Sequence, residues 1–253
     1  MNLIEVSLLV LAGLLGGGLN AVAGGGSLIT YPTLMAVGVP ALQANATNGI
    51  AVAPAYAAAA VGSRENLRPQ QRRALLLIPT ALVASVCGAL LLLNTPHSVF
   101  EAIVPFLVLA ATVLMAIGPW INRKVTALNG GRDLHPLALH AGVFAGCLYG
   151  SYFNAALGLI LMAVIAMGVS EKLAKVGALK NFCTMIVGIV TSVMYGIWAD
   201  VDWLAIAALV PATFIGGYIG ARIFQRIPER PLRIAIVLYG FILSGILLYR
   251  SLL

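Results

Sequence analysis

Residues 16–32 read GGGLNAVAGGGSLITYP, and residues 150–158 read GSYFNAALG. Both stretches are apolar and glycine-interrupted, and each carries an asparagine, Asn20 or Asn154, at a matched place. Each sits inside a longer apolar region, residues 3–38 and 136–168. Such a region is long enough for two helices but not for two comfortable crossings of a hydrocarbon core about 30 Å thick, which takes roughly 20 residues per helix. Three apolar stretches of crossing length follow each region: 44–62, 74–93 and 98–120, then 175–198, 203–222 and 231–250. The expected fold is an all-α polytopic membrane protein of two inverted-topology repeats. Each repeat is a Gly-broken helical hairpin plus three full transmembrane helices.

Composition supports the same class. Of 253 residues, 61% are hydrophobic and 9% charged, with a mean hydropathy of +1.01, whereas a soluble domain is about 25% charged. A β-barrel would show segments of about 10 residues alternating apolar and polar, and the chain has none. Residues 21–23 read Ala-Val-Ala, a small-residue pattern of the kind cleaved after a signal peptide. The first Lys or Arg is Arg64, however, and cleavage is not expected. Cys87, Cys147 and Cys183 lie in apolar segments without metal-site spacing and are expected to pack. The net charge of +7 sits in the short breaks between spans, where membrane topology explains it without nucleic acid.

The second half echoes the first at a shift of about 130 residues. Asn20 and Gly24 match Asn154 and Gly158, Gly38-Val39 match Gly168-Val169, Pro79 matches Pro211, Gly88-Ala89 match Gly220-Ala221, and Pro96 matches Pro228. The repeats are bounded at 1–121 and 136–253, joined by a linker at 122–135. The first break holds Arg64, Arg68, Arg72 and Arg73, and the linker holds Arg123, Lys124 and Arg132. Both read as cytoplasmic, and the uncharged break 94–98 as outward. In the second half, Lys172 and Lys175 read as inward, Asp200 and Asp202 as outward, and Arg222, Arg226, Arg230 and Arg233 as inward. The halves are therefore expected to be inverted, with both termini periplasmic, whether the broken regions cross twice or dip and return.

Inverted repeats with interrupted helices place a substrate site near the midplane, at the matched broken segments. There the candidates are Asn20, Gly24, Gly25, Gly26, Ser27, Tyr152 and Asn154, with Tyr31 and Tyr149 beside them. Consecutive glycines leave main-chain amides open to a ligand, although small residues also serve plain helix packing in lipid. Residues 16–32 lack the Gly-Lys-Ser/Thr ending of a nucleotide loop. Asn45, Thr47 and Asn48 open the next span, and Lys180 with Asn181 stand at the same place in the second half. Lys180 has two readings, a cation facing an anionic substrate or a side chain snorkelling to the surface. His97 and His140 fall near span ends and read as interfacial. The acids fall near span ends or in breaks, which favours an anion over a cation as ligand.

The run from Gly16 to Val52, with its Gly-Gly-Gly-Ser break, Gly-Val-Pro turn and Ala-Thr-Asn a few residues on, resembles the sulfite exporter TauE/SafE family of membrane permeases. The resemblance implies secondary transport of small sulfur-containing anions or organic acids, such as sulfite, thiosulfate or sulfonates, across the bacterial inner membrane. It points to Gly24, Gly25, Gly26, Ser27, Thr47 and Asn48, and it implies proton coupling, for which no side chain stands out as carrier. In the second copy a small hydroxyl residue is common where this chain reads Gly177-Ala178-Leu179-Lys180.

The expected function is a secondary transporter of a small anion working by alternating access, with the bilayer as its other partner and no cofactor or metal. Two other classes stand beside it: an anion channel of the same fold, and a membrane-embedded phosphatase-like enzyme. The enzyme would need a nucleophile or base beside a phosphate clamp, which the broken regions do not offer. The oligomeric state is not legible in the sequence.

Overall fold

The computed structural model describes residues 1–22, 24–128, 135–223 and 229–251. Among these the chain is helical throughout: α1 (Leu3–Val22), α2 (Ser27–Ala36), α3 (Ala41–Gly62), α4 (Arg64–Leu67), α5 (Gln71–Leu93), α6 (His97–Leu128), α7 (Pro136–Tyr152), α8 (Leu157–Gly168), α9 (Leu173–Trp198), α10 (Trp203–Ile223) and α11 (Glu229–Ser251). The crossing-length stretches of the sequence correspond to α3, α5, α6, α9, α10 and α11, and α6 continues seven residues past position 121. Arg132, Arg226, Pro228 and Ala23 lie outside the described residues, as do the side chains of Arg123, Lys124, Arg222, Arg230 and Arg233.

Each glycine-broken region folds as an antiparallel helical hairpin. Gly16 of α1 lies against Thr30 of α2, while Gly142, Gly146 and Gly150 of α7 lie in turn against Val164, Leu161 and Leu157 of α8. The returning arms are short. α2 has 10 residues and α8 has 12, about 15 and 18 Å of helix at 1.5 Å per residue. That is roughly half of a 30 Å hydrocarbon core, so each hairpin turns inside the molecule. α2 then ends in a turn that needs Gly38 at φ +93. The Gly38 and Val39 amides donate back to Met35 and Leu34, satisfying carbonyls that the helix end would otherwise orphan. Pro40 then opens α3, where its missing N–H is no loss.

The halves interlock rather than sit side by side. α1 packs closely on α10, and α7 on α5, with small residues setting the spacing. Gly17 abuts the Thr213 carbonyl and Gly216 the Leu14 carbonyl, and Gly88 abuts the Leu148 carbonyl. α3 and α9 cross the middle antiparallel: Thr47 reaches Asp202, Gly49 meets Tyr195, Gly188 meets Ala53, and Asn181 reaches Ser63. α6 packs on α11. Among the described residues two apolar clusters form the core, and they meet at Ala51–Val52 within α3 and at Ala156–Leu157 in the second hairpin turn.

Among the described residues, four helical stretches meet both the length and the hydropathy of a membrane span: Leu3–Asn20, Arg64–Leu93, His97–Gly118 and Leu173–Trp198. α3 has the length, but Gln43, Asn45 and Asn48 dilute its apolar content. Its asparagines are buried in protein, where polar groups find partners that lipid cannot offer. The outer faces are apolar, as on α9 with Ile189, Val193 and Ile197 and on α10 with Phe214, Ile215 and Tyr218, all exposed. Water would not tolerate such a surface, and lipid does.

The hairpin tips touch where Gly24, at φ +76, passes Gly158, so that a Cβ on Gly24 would stand 2.6 Å from the Gly158 Cα. Gly24→Ala should therefore destabilise the protein by about 1–3 kcal/mol through backbone strain and overlap. Gly62→Ala, where a methyl meets nothing within 4 Å, should be neutral or mildly stabilising. Thermal unfolding in detergent compares the two, and equal melting temperatures would contradict the packing.

Candidate functional site

The two breaks leave helix ends in the interior, and side chains from neighbouring helices take up their backbone groups. Asn20 Oδ1 accepts the Gly26 N–H at 2.8 Å, closing the α1–α2 turn on itself. Because a backbone N–H can only donate, this bond also fixes which way the Asn20 amide faces. At the end of α7, the Tyr152 carbonyl accepts from Asn45 Nδ2 at 2.8 Å, and the Ser151 carbonyl accepts from the Tyr195 hydroxyl. The second turn passes through Ala156 at φ 62, a left-handed conformation costing roughly 1–2 kcal/mol for a residue with a Cβ. Phe153 in that turn stands edge-on to Tyr31 of α2, with ring centroids 5.4 Å apart.

Polar side chains gather around the first turns of α2. Ser27 Oγ donates to Asn154 Oδ1 at 3.1 Å, joining the two hairpin tips, and the Tyr56 hydroxyl of α3 donates to the same oxygen. Thr30 Oγ1 donates to Asn48 Oδ1 at 2.5 Å. Three asparagines, Asn20, Asn48 and Asn154, thus have their amide oxygens held by Gly26 at the N-cap of α2, by α2, and by α2 with α3, respectively. In each of them the Nδ2 amine is buried and has no partner, and the Tyr31, Tyr149 and Ser151 hydroxyls are likewise buried and unbonded. Every one of these groups can donate a hydrogen bond. Orphaned buried donors are unusual in a folded protein and ask for a ligand, an ion or water.

Of the residues the sequence singles out, Asn20, Gly24, Gly25, Gly26, Ser27, Asn48 and Asn154 come together at the tips; Gly25 is pressed against Met115 of α6. Asn45 and Tyr152 adjoin them as the cap on α7. Thr47 faces away and accepts the Asp202 N–H at 3.0 Å, tying α3 to the start of α10. Asn181 serves the opposite end of α3, donating to the Ala59 carbonyl at 3.3 Å and to Ser63 Oγ at 3.1 Å. Lys180 lies about two turns into α9, and only 7% of it is exposed. No hydrogen bond or ion pair is formed by it among the described residues. Tyr56 and Thr30, both in the cluster, were not legible as site residues in the sequence. A tyrosine in an alanine-rich span and a threonine in an apolar helix look like packing until their partners are known.

Helices of membrane length, apolar outer faces and a polar cluster sealed inside are the marks of an integral membrane protein with an internal site. The comparisons carry the class further. Residues 9–247 match the profile of the family described as Sulfite exporter TauE/SafE, and the chain belongs to that family. It is 27% identical to the "Probable membrane transporter protein YfcA" of Escherichia coli (strain K12), over 97% of this chain and 90% of that protein. It is 31% identical to the "Probable membrane transporter protein ORF9" of Sinorhizobium sp, over 62% of each, and 20% identical to a "Probable membrane transporter protein" of Haemophilus influenzae, over 96% and 94%. No solved structure matches. The chain is a membrane transporter of this family.

Asn154 Oδ1 has two hydroxyl donors, so Ser27→Ala or Tyr56→Phe alone leaves it satisfied, and each should cost about 1 kcal/mol. The double variant strands a buried oxygen and should lose about 1–2 kcal/mol more than the sum. A double-mutant cycle by thermal unfolding reads this directly, and strict additivity would mean that the oxygen has another partner.

Proposed function

We propose that the chain moves a small anion, a sulfur oxyanion or organosulfonate, across the inner membrane by alternating access, binding it where the two hairpin tips meet. The observation behind this reading is the set of unpaired donors at Asn20, Asn48, Asn154 and Ser151. A desolvated anion accepts hydrogen bonds and offers none, so a pocket of donors suits it and rejects a cation. Neutral amides hold such an ion without trapping it, as a transporter must release what it binds. Lys180, buried in α9, supplies a positive charge within the protein interior. The printed name of the family, sulfite exporter, points to the same substrate class.

The two halves act as inverted repeats. Exchanging α1 with α7, α2 with α8, α3 with α9, α5 with α10 and α6 with α11 carries the principal helix contacts onto one another. A shift of about 132 residues carries Gly49 onto Asn181 and Ser63 onto Tyr195, and both resulting pairs, Gly49 with Tyr195 and Ser63 with Asn181, are in contact. The same shift places Lys180 opposite Asn48. Moving α1 with its partner α10 against α5 with its partner α7, around the tips, would open the site to each side in turn. Basic breaks facing the cytoplasm put both termini in the periplasm, and the resemblance to the family favours proton coupling.

Purified protein screened by thermal shift should be stabilised by sulfite, thiosulfate or sulfoacetate more than by chloride or short carboxylates, because a ligand that binds only the native state must stabilise it. Asn48→Ala and Lys180→Gln should each weaken that binding at least about tenfold while the protein still inserts. Unchanged affinity in both variants would overturn the anion site. Liposome flux then separates mechanisms, since a transporter saturates and exchanges substrate whereas a channel of the same fold does neither.

A further inference from the structure

A second place suited to an anion lies away from the hairpin tips, at the arginine-bearing end of α5. A cavity of about 560 Å³ opens there between α5, α7 and the end of α8, lined by Arg72, Arg73 and His140, with Leu76, Leu77 and Leu139 as its apolar wall. α5 and α7 run parallel: Thr80 bonds His140, and eight residues on Gly88 meets Leu148. Both helices therefore present their N-terminal ends to the cavity, where the positive ends of their dipoles favour negative charge. Glu171 also lines the cavity, but its carboxylate is held at 2.9 Å by Lys175, which offsets its charge. His140 Nδ1 is occupied by Thr80 Oγ1 at 2.6 Å, which leaves Nε2 for another partner. Each guanidinium carries five donors, more than one neighbour can use.

The surroundings separate a lipid from a soluble ion. Leu75 and Leu76 on α5 and Leu137 on α7 are exposed beside the cavity, on the apolar outer surface that acyl chains cover. A free oxyanion gains nothing from those leucines, whereas a phospholipid uses them and the arginines together. We propose that this cavity binds the headgroup of an anionic glycerophospholipid, with Arg72 and Arg73 holding the phosphodiester and the acyl chains lying along Leu75, Leu76 and Leu137. Clusters of arginine at the membrane surface attract anionic headgroups in general; the cavity between α5 and α7 turns that attraction into a site. The lipid would pin α5 to α7, the pair that joins the first repeat to the second hairpin, and the assignment stands whether or not the tips carry a sulfur anion.

Full-length protein in detergent, titrated with phosphatidylglycerol, phosphatidylethanolamine, inorganic phosphate or glycerol 3-phosphate, tests this by thermal unfolding. Phosphatidylglycerol should raise the melting temperature and the other three should not. The double variant Arg72→Gln, Arg73→Gln should weaken the phosphatidylglycerol effect about 30-fold. Arg72→Gln alone, at an exposed position, should weaken it about fivefold and keeps the test decisive if the double variant does not fold. Equal stabilisation by phosphatidylethanolamine would show that charge is not read, and stabilisation by inorganic phosphate or glycerol 3-phosphate would make this a soluble-anion site. Either result overturns the proposal, as would no response to phosphatidylglycerol or an undiminished response in the variants.

Discussion

A helix that stops inside a membrane leaves backbone amides and carbonyls with no water to receive them, and each such group costs several kcal/mol unless the protein supplies a partner. This chain stops helices there at two places, after α1 and after α7. The rest of the architecture answers that constraint. Asn20 reaches forward to the Gly26 N–H, and α3 and α9 send Asn45 and Tyr195 to the last carbonyls of α7. α3 can do this because Asn45, Thr47 and Asn48 are buried in protein, with α2, α9 and α10 packed on the helix.

The same arrangement explains why the halves cannot be separated. The second hairpin's turn is finished by side chains of the N-terminal half, Ser27, Asn45 and Tyr56. The close pairs α1 with α10 and α5 with α7 likewise join elements from different halves. Small residues make those contacts possible, since van der Waals packing rather than hydrophobic expulsion drives helix association in lipid. Any movement that opens the tips must therefore shift a helix of one half together with its partner from the other.

Capping and donor supply meet in the same residues. Each asparagine uses its oxygen to seal or join a break and is left with an amine that nothing accepts. On the proposed reading, an anion entering between the tips would satisfy those amines, so binding and the closing of the two halves would stabilise each other. On the same reading, Lys180 would correspond to Asn48, a charged side chain in one half against a neutral amide in the other.

By itself the sequence determined the class of fold, since apolar length and the scarcity of charge are properties of composition that only a bilayer accommodates. It also marked the broken hairpins through their glycines, and it singled out Asn20 and Asn154 within them. Which polar residues would share one cluster was a matter for the tertiary structure. Thr47, Asn48, Lys180 and Asn181 look equivalent along the chain, but successive residues of a helix point about 100° apart. Packing against α2, α10 and the end of α3 sends Asn48 to the tips and the Thr47 and Asn181 side chains to opposite ends of the α3–α9 pair. Tyr56 joined the site only through its partner on a hairpin 98 residues further along the chain, a distance over which no local pattern carries information.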